Sequence, residues 1–127
     1  MPEVAYKHIT NNHFVYTAKA KNLAKLERIS LLGDNWNGYG AAPLPDSTIF
    51  SAKNLIRNLF FQPEIFPTPD GTIQIEYEKD NGDYLEFQFD GEGTCEVFKS
   101  TDNNEEYFTS QDSPEAINAL VEAFYEQ

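Results

Sequence analysis

Cysteine is nearly missing from this chain: Cys95 is the only one in 127 residues. A lone cysteine excludes an intramolecular disulfide and any multi-cysteine zinc site, and it fits a reducing, cytoplasmic setting. Histidine is almost as scarce. His8 and His13 lack the i, i+4 spacing of a helical zinc pair, and no helix is evident around them, so neither is assigned a metal or catalytic role. No apolar run approaches the roughly 20 residues needed to cross a bilayer, so no membrane span is expected. Met1 to His8 shows no basic region leading into an apolar stretch, so no signal peptide is expected either. No residue pattern implies a cofactor.

Positive charge is the other shortage. Nine Lys and Arg stand against 21 Asp and Glu, for a net charge of −12. The imbalance is lopsided. Residues 1–62 hold seven basic and four acidic groups, giving +3, whereas residues 63–127 hold two basic and 17 acidic groups, giving −15. Such a molecule is dipolar, with a strongly negative C-terminal part. Direct nucleic-acid binding there is disfavoured, because phosphate recognition needs clustered Lys and Arg. A basic protein partner is compatible with it; a purely solubilising surface is the plainer alternative.

Aromatic residues are plentiful, with ten Phe, seven Tyr and one Trp. The length suits one domain over residues 1–127, able to fold without a disulfide or metal. Residues 1–16 read as an N-terminal arm, either ordered with a short strand at His13–Tyr16 or loosely ordered until it docks. From about Ala18 to Leu32 the three-residue recurrence of Leu23, Leu26, Ile29 and Leu32 predicts a helix, with Gly33 as its C-cap. A second helix follows Pro43-Leu44-Pro45, capped by Asp46 or Ser47, with Ile49, Ala52, Leu55, Ile56, Leu59 and Phe60 as its apolar stripe. Prolines 63, 67 and 69 make the next segment extended, with Ile65 and Phe66 covering an edge of the core.

The period then switches to two. Thr72–Glu78, Tyr84–Phe89, Thr94–Lys99 and Glu105–Thr109 read as strands separated by turns at Asp80–Asp83, Asp90–Gly93 and Asp102–Asn104. Ile73, Ile75, Tyr77, Leu85, Phe87 and Phe89 share one apolar face; Gln74, Glu76, Glu78, Glu86 and Gln88 share a polar, acidic one. Ser113-Pro114-Glu115 starts a C-terminal helix whose stripe is Ala116, Ile117, Leu120, Val121 and Phe124. The expected fold is α+β: a two-layer sandwich of an antiparallel meander of three to four strands against two or three helices.

Convergent catalytic groups are sparse. Cys95 lies beside Glu96 in an acidic mid-strand setting that favours an inert thiol. Glu76 and Glu86 form a carboxylate pair, but general acid–base chemistry also needs a cleft that raises one pKa, and nothing in the pattern builds one. Gly38-x-Gly40 lacks the third glycine and the Lys-Ser/Thr of a phosphate loop, and the Asp-rich turns lack calcium-loop spacing.

The remaining feature is Asn35-Trp36-Asn37-Gly38-Tyr39-Gly40-Ala41-Ala42-Pro43. Asn35, Gly38 and Gly40 read as its structural framework, since glycine permits bends that other residues resist. Trp36 either plugs the junction of helices and sheet or, with Tyr39, presents a contact patch. This loop, followed by Pro67-Thr68-Pro69-Asp70-Gly71-Thr72-Ile73-Gln74-Ile75-Glu76-Tyr77, resembles a family of small uncharacterised bacterial proteins. Those carry an N-W-D-G-Y-G-A-like loop and a P-x-P-D-G-x-[IV]-x-[IL]-E-[WY]-like strand in the same order. The resemblance spans about residues 23–100 and implies a bacterial or phage-associated, self-contained domain without an activity to transfer. Asn37 stands where the family has Asp, which argues against an essential carboxylate there.

The function expected is non-enzymatic protein interaction, through Trp36 and Tyr39, through Glu76, Glu78 and Glu86, or through both. Antitoxin, immunity or inhibitor roles suit the size and charge. The alternatives are a ligand-binding or enzymatic domain with its pocket beside Trp36, and a nucleic-acid mimic that inhibits a basic protein.

Overall fold

In a computed structural model, the backbone of residues 3–127 and the side chains of residues 17–127 are described. The order is α1 (Glu3–Ser30), α2 (Asp46–Asn58), β1 (Glu64–Pro67), β2 (Ile73–Glu78), β3 (Tyr84–Phe89), β4 (Thr94–Thr101), β5 (Asn104–Gln111) and α3 (Pro114–Glu126). The strands form one antiparallel sheet in sequential order. The α+β class holds, with five strands instead of three to four. Among the described residues no helix is long and apolar enough to cross a membrane.

The additional strand is β1. Its four residues pair Ile65 with Ile75 and Pro67 with Ile73. Pro67 is tolerated because this is an edge strand, where a missing N–H need not break the ladder. Ile65 is fully buried, as an edge of the core requires, whereas Phe66 is 40% exposed. β5 is also longer than expected. Asp102 and Asn103 both take positive φ (47° and 66°), making a two-residue turn that lets pairing resume at Thr101 and Asn104.

The two-residue period of β2 and β3 buries Ile73, Ile75, Tyr77, Leu85, Phe87 and Phe89. They join one core with Leu26 and Ile29 of α1, five apolar residues from Ile49 to Leu59, and Ile117, Val121 and Phe124 of α3. All three helices therefore contribute to a core on one face of the sheet, and among the described residues the other face is open.

Four local expectations change. His13–Tyr16 falls within α1, not in a strand; that run has no apolar alternation strong enough to override a continuing helix. The roles weighed for His8 and His13 fall on side chains outside those described, but from Glu3 onward the expected arm is the first part of α1, which also carries both histidines. Gly33 does not take the left-handed conformation of a C-cap; the helix instead tapers through Leu31 N–H to Arg28 O and Leu32 N–H to Ile29 O, both 3.1 Å. Neither Asp46 nor Ser47 caps α2. Pro45 is the N-cap residue, without a side-chain bond, and its carbonyl accepts from Thr48 N–H and Ile49 N–H. Phe60 leaves the α2 stripe and is 62% exposed, because the helix stops at Asn58 and Leu59 is extended (φ −82°, ψ 135°). By contrast α3 begins as its sequence indicates: Ser113 Oγ accepts from Ala116 N–H, with Pro in the first turn.

Gly91 is the glycine that a close approach demands. A Cβ there would lie 2.7 Å from Ser51 Oγ on α2, and its φ is +89°. Beside it Thr48 Oγ1 donates to Asp90 O at 2.7 Å, fastening the start of α2 to the β3–β4 turn.

Candidate functional site

The register lays out the open face row by row. One row runs Glu64, Glu76, Glu86, Phe98, Tyr107, and the next runs Phe66, Gln74, Gln88, Glu96, Thr109. On the other side lie Glu78, Tyr84, Ser100 and Glu105. These rows hold six glutamates and neither Lys nor Arg.

Glu76 and Glu86 are direct cross-strand partners, an arrangement that is repulsive when both are ionised. Tyr84 relieves it. Its hydroxyl oxygen lies 2.5 Å from Glu76 Oε2 and 2.7 Å from Glu86 Oε1. The phenol has one proton, so the two carboxylates share a single donor. Gln74 Nε2 adds a second donor to Glu76 at 3.1 Å. Burial and the two carboxylates push the Tyr84 hydroxyl far above the ordinary phenol range, so it remains a donor at neutral pH. Nearer the β1–β2 turn, Thr68 and Thr72 both donate to Asp70, which holds its carboxyl below the usual range. Gln88 Nε2 continues the network to Thr72 Oγ1 at 2.9 Å.

The same face carries an aromatic row. Tyr84 and Phe98 have ring centroids 6.0 Å apart, and Phe98 and Tyr107 4.7 Å apart. Tyr107, on the last strand, is 75% exposed. This row was not anticipated, nor were Glu64, Glu96 and Glu105 as members of the acidic face. The sequence places Tyr107 in a strand, but Glu105-Glu106-Tyr107-Phe108 does not alternate, so its facing becomes readable only with the β4–β5 register.

The aromatic loop stands apart from this row, at the β1–β2 turn. Ala42 N–H donates to Pro69 O at 3.0 Å, and Thr72, which follows that turn, lies about 13 Å along β2 from Glu76. Asn35 (φ 59°) organises the loop. Its N–H donates to Ala41 O, its carbonyl accepts from Gly38 N–H, and its Oδ1 accepts from Gly40 N–H at 2.6 Å. Gly38 and Gly40 take φ of 81° and 86°. Asn37 Oδ1 accepts from Tyr39 N–H and Ala41 N–H at 2.8 and 3.1 Å. An aspartate oxygen would accept the same two bonds.

Trp36 is not the plug at the helix–sheet junction. It is half-buried and outside the core cluster, and its indole N–H closes the loop on Ala42 O at 2.8 Å. Tyr39 is 93% exposed. The loop thus spends its polar groups on itself and presents one ring. Glu78 lies on the open face two residues beyond Glu76, at the solvent end of β2.

Cys95 is buried under β4, where burial first and Asp112 second push its thiol up to about 11. The Asp-rich turns are Asx turns, with Asp83 N–H on Asn81 Oδ1 and Glu92 N–H on Asp90 Oδ1, both 2.9 Å. Among the described residues no three metal-ligating side chains converge. Comparison of the chain with protein-family models, with curated proteins and with solved structures finds no match.

Proposed function

We propose that this protein is a non-enzymatic, cytoplasmic interaction domain that binds a basic protein through the open face of its sheet. The observation that carries this reading is the set of six glutamates on that face without a Lys or Arg among them, beside the aromatic row Tyr84–Phe98–Tyr107, whose last ring is 75% exposed. Carboxylates supply long-range attraction for a basic partner, and aromatic rings supply contact area once it arrives. The bacterial or phage-associated setting that the loop motif implies suits an antitoxin, immunity or inhibitor role. The self-closed loop speaks against a pocket beside Trp36, because most of its backbone donors are already used.

The test compares the wild-type protein with a Glu76→Gln, Glu86→Gln, Glu96→Gln variant, each immobilised in a lysate of the source organism. A basic protein retained by the wild type at low salt, released as salt rises and not retained by the variant supports the proposal. Retention that is indifferent to salt and to the three substitutions refutes it. Retention lost on Tyr39→Ala alone would move the site to the loop.

A further inference from the structure

The two edges of the sheet are managed differently. β1 is four residues long, ends in Pro67 and is covered by α1: Asn22 Nδ2 donates to Pro63 O at 3.0 Å, and Lys25 Nζ sits 4.6 Å from the Phe66 ring centroid. β5 is eight residues long and contains no Pro or Lys, and all but one of its residues are exposed. Proteins ordinarily blunt such an edge with proline, lysine, a bulge or a covering element.

The phase of the edge follows from one bond. Asp112 N–H donates to Gly93 O at 3.1 Å, in line with the register that pairs Thr94 with Gln111 and Cys95 with Ser110. Hydrogen-bonded pairs recur every second residue in an antiparallel ladder. Residues 106, 108 and 110 therefore turn their N–H and C=O toward β4, and Glu105, Tyr107 and Thr109 turn theirs outward. The side chains of those three residues stand on the open acidic face.

We infer that the basic partner adds an extended segment to β5 as a sixth, antiparallel strand, with the residue order apolar-apolar-basic-basic. This rests on the interaction reading above and specifies how the partner is held. The order comes from the pairs the edge offers. Phe108 and Tyr107 face two successive residues on opposite sides of the added strand and favour apolar ones; Glu106 and Glu105 face the next two and favour basic ones. Glu106 already has Lys99 opposite it on β4, whereas Glu105 has Ser100, so the stronger demand for a cation lies opposite Glu105. A second copy of this chain fits less well, since it would bring a second net −12 molecule to the same edge.

The probe is fluorescein-labelled, end-blocked Ser-Thr-Ile-Val-Lys-Arg-Ser, titrated against the full chain by anisotropy. Binding that weakens with salt is expected, with new exchange protection at the amides of residues 105, 107 and 109. N-methylation at the peptide valine and arginine removes donors to the edge and weakens binding by about tenfold or more. Thr109→Pro removes an outward N–H without touching the β4 ladder and has the same effect; if that variant does not fold, the methylated peptide alone decides. The reversed peptide sequence binds more weakly. Equal binding by the methylated peptide, or by folded Thr109→Pro, overturns strand addition. So does a dimer of the chain alone, by light scattering, that Thr109→Pro dissolves. If the peptide fails while a basic protein is still retained through Glu76, Glu86 and Glu96, strand addition falls and the acidic-face reading stands; if both fail, both fall.

Discussion

Asn118 provides the sharpest test of how the helical layer is held together. It lies on α3 within an otherwise apolar face and is 7% exposed. Its Oδ1 accepts from Phe60 N–H at 2.9 Å, and its Nδ2 donates to Asn58 O at 2.9 Å. One side chain thus satisfies a donor and an acceptor where α2 stops. Asn118→Ala strands both. A fully buried backbone group left without a partner costs about 1–3 kcal/mol, so about 2–6 for two groups is an upper bound here, where both bonds are only part-buried and Asn58 and Phe60 are exposed residues. A concavity lined by Asn54, Asn58, Phe60, Glu115, Ala119 and Glu122 lies beside the site, and water entering the space left by the side chain recovers part of that loss. The lower end follows, about 2–3 kcal/mol, or a Tm lower by about 6–12 °C.

Asn118→Asp separates the two bonds. One carboxylate oxygen still accepts from Phe60 N–H, but the other faces the Asn58 carbonyl and can bond to it only when protonated. Burial and that carbonyl raise the folded pKa of the new carboxyl above its unfolded value of about 3.9. The sign follows: the variant is least impaired below the unfolded pKa, and its deficit relative to wild type grows as pH rises through the folded one. Urea denaturation of wild type and both variants at about pH 5.5 and about pH 8 measures this. An Asn118→Ala cost below about 0.5 kcal/mol, or an Asn118→Asp deficit that does not change with pH, would refute the clamp.

The remaining predictions concern the sheet and the loop. Tyr84→Phe removes the donor shared by Glu76 and Glu86 and should cost about 1–2 kcal/mol at low salt, less at 1 M salt where carboxylate repulsion is screened; salt-independent loss would disprove the bridging role. Cys95, with its thiol pushed up to about 11 by burial, should react with a disulfide reagent at neutral pH only when the protein is unfolded. The raised value means that its contribution to stability is intact below the unfolded thiol pKa and is lost as pH rises toward 11. Trp36→Phe loses the bond to Ala42 O and should cost about 1 kcal/mol, well under the roughly 3–5 of a core ring, while Tyr39→Ala should leave stability unchanged by thermal melting. Thr68→Val should raise the Asp70 pKa in an NMR titration, because the Thr68 hydroxyl is the main cause of its depression.

Much of the fold was legible because it rests on periodicity. The alternation from Ile73 to Phe89 named every inward residue of β2 and β3, and the Ser113-Pro114 start placed α3. What escaped depends on partners remote in sequence. β1 is a strand because β2 pairs with it, not because four residues between prolines prefer to be one. Asn118 reads as a polar interruption of an apolar stripe until the end of α2 is brought against it. Of the site, Glu76, Glu78 and Glu86 were visible from parity. Tyr84 was visible as a strand residue, but the carboxylates that flank its hydroxyl converge only through the β2–β3 register. The aromatic loop misled in one respect: its composition suggested a ring destined for the core, whereas backbone bonds to Asn35 and Asn37 already hold the loop closed.

How the acidic face is stabilised bears on the proposed binding role. A surface needed only for solubility intersperses both signs of charge. Here the cations keep to the margins: Lys53 pairs with Glu27 among the helices, Lys79 with Asp83 at a turn, 3.8 Å apart, and Lys25 meets the face only at the Phe66 ring on the β1 edge. On the open face the donors are neutral. Tyr84 and Gln74 serve Glu76, Tyr84 serves Glu86, and threonine hydroxyls serve Asp70 at its margin. Neutral donors hold carboxylates in place without cancelling their charge, so the negative field remains available to whatever approaches. The cost of keeping like charges together is then borne within the fold, and a basic partner would relieve it on binding.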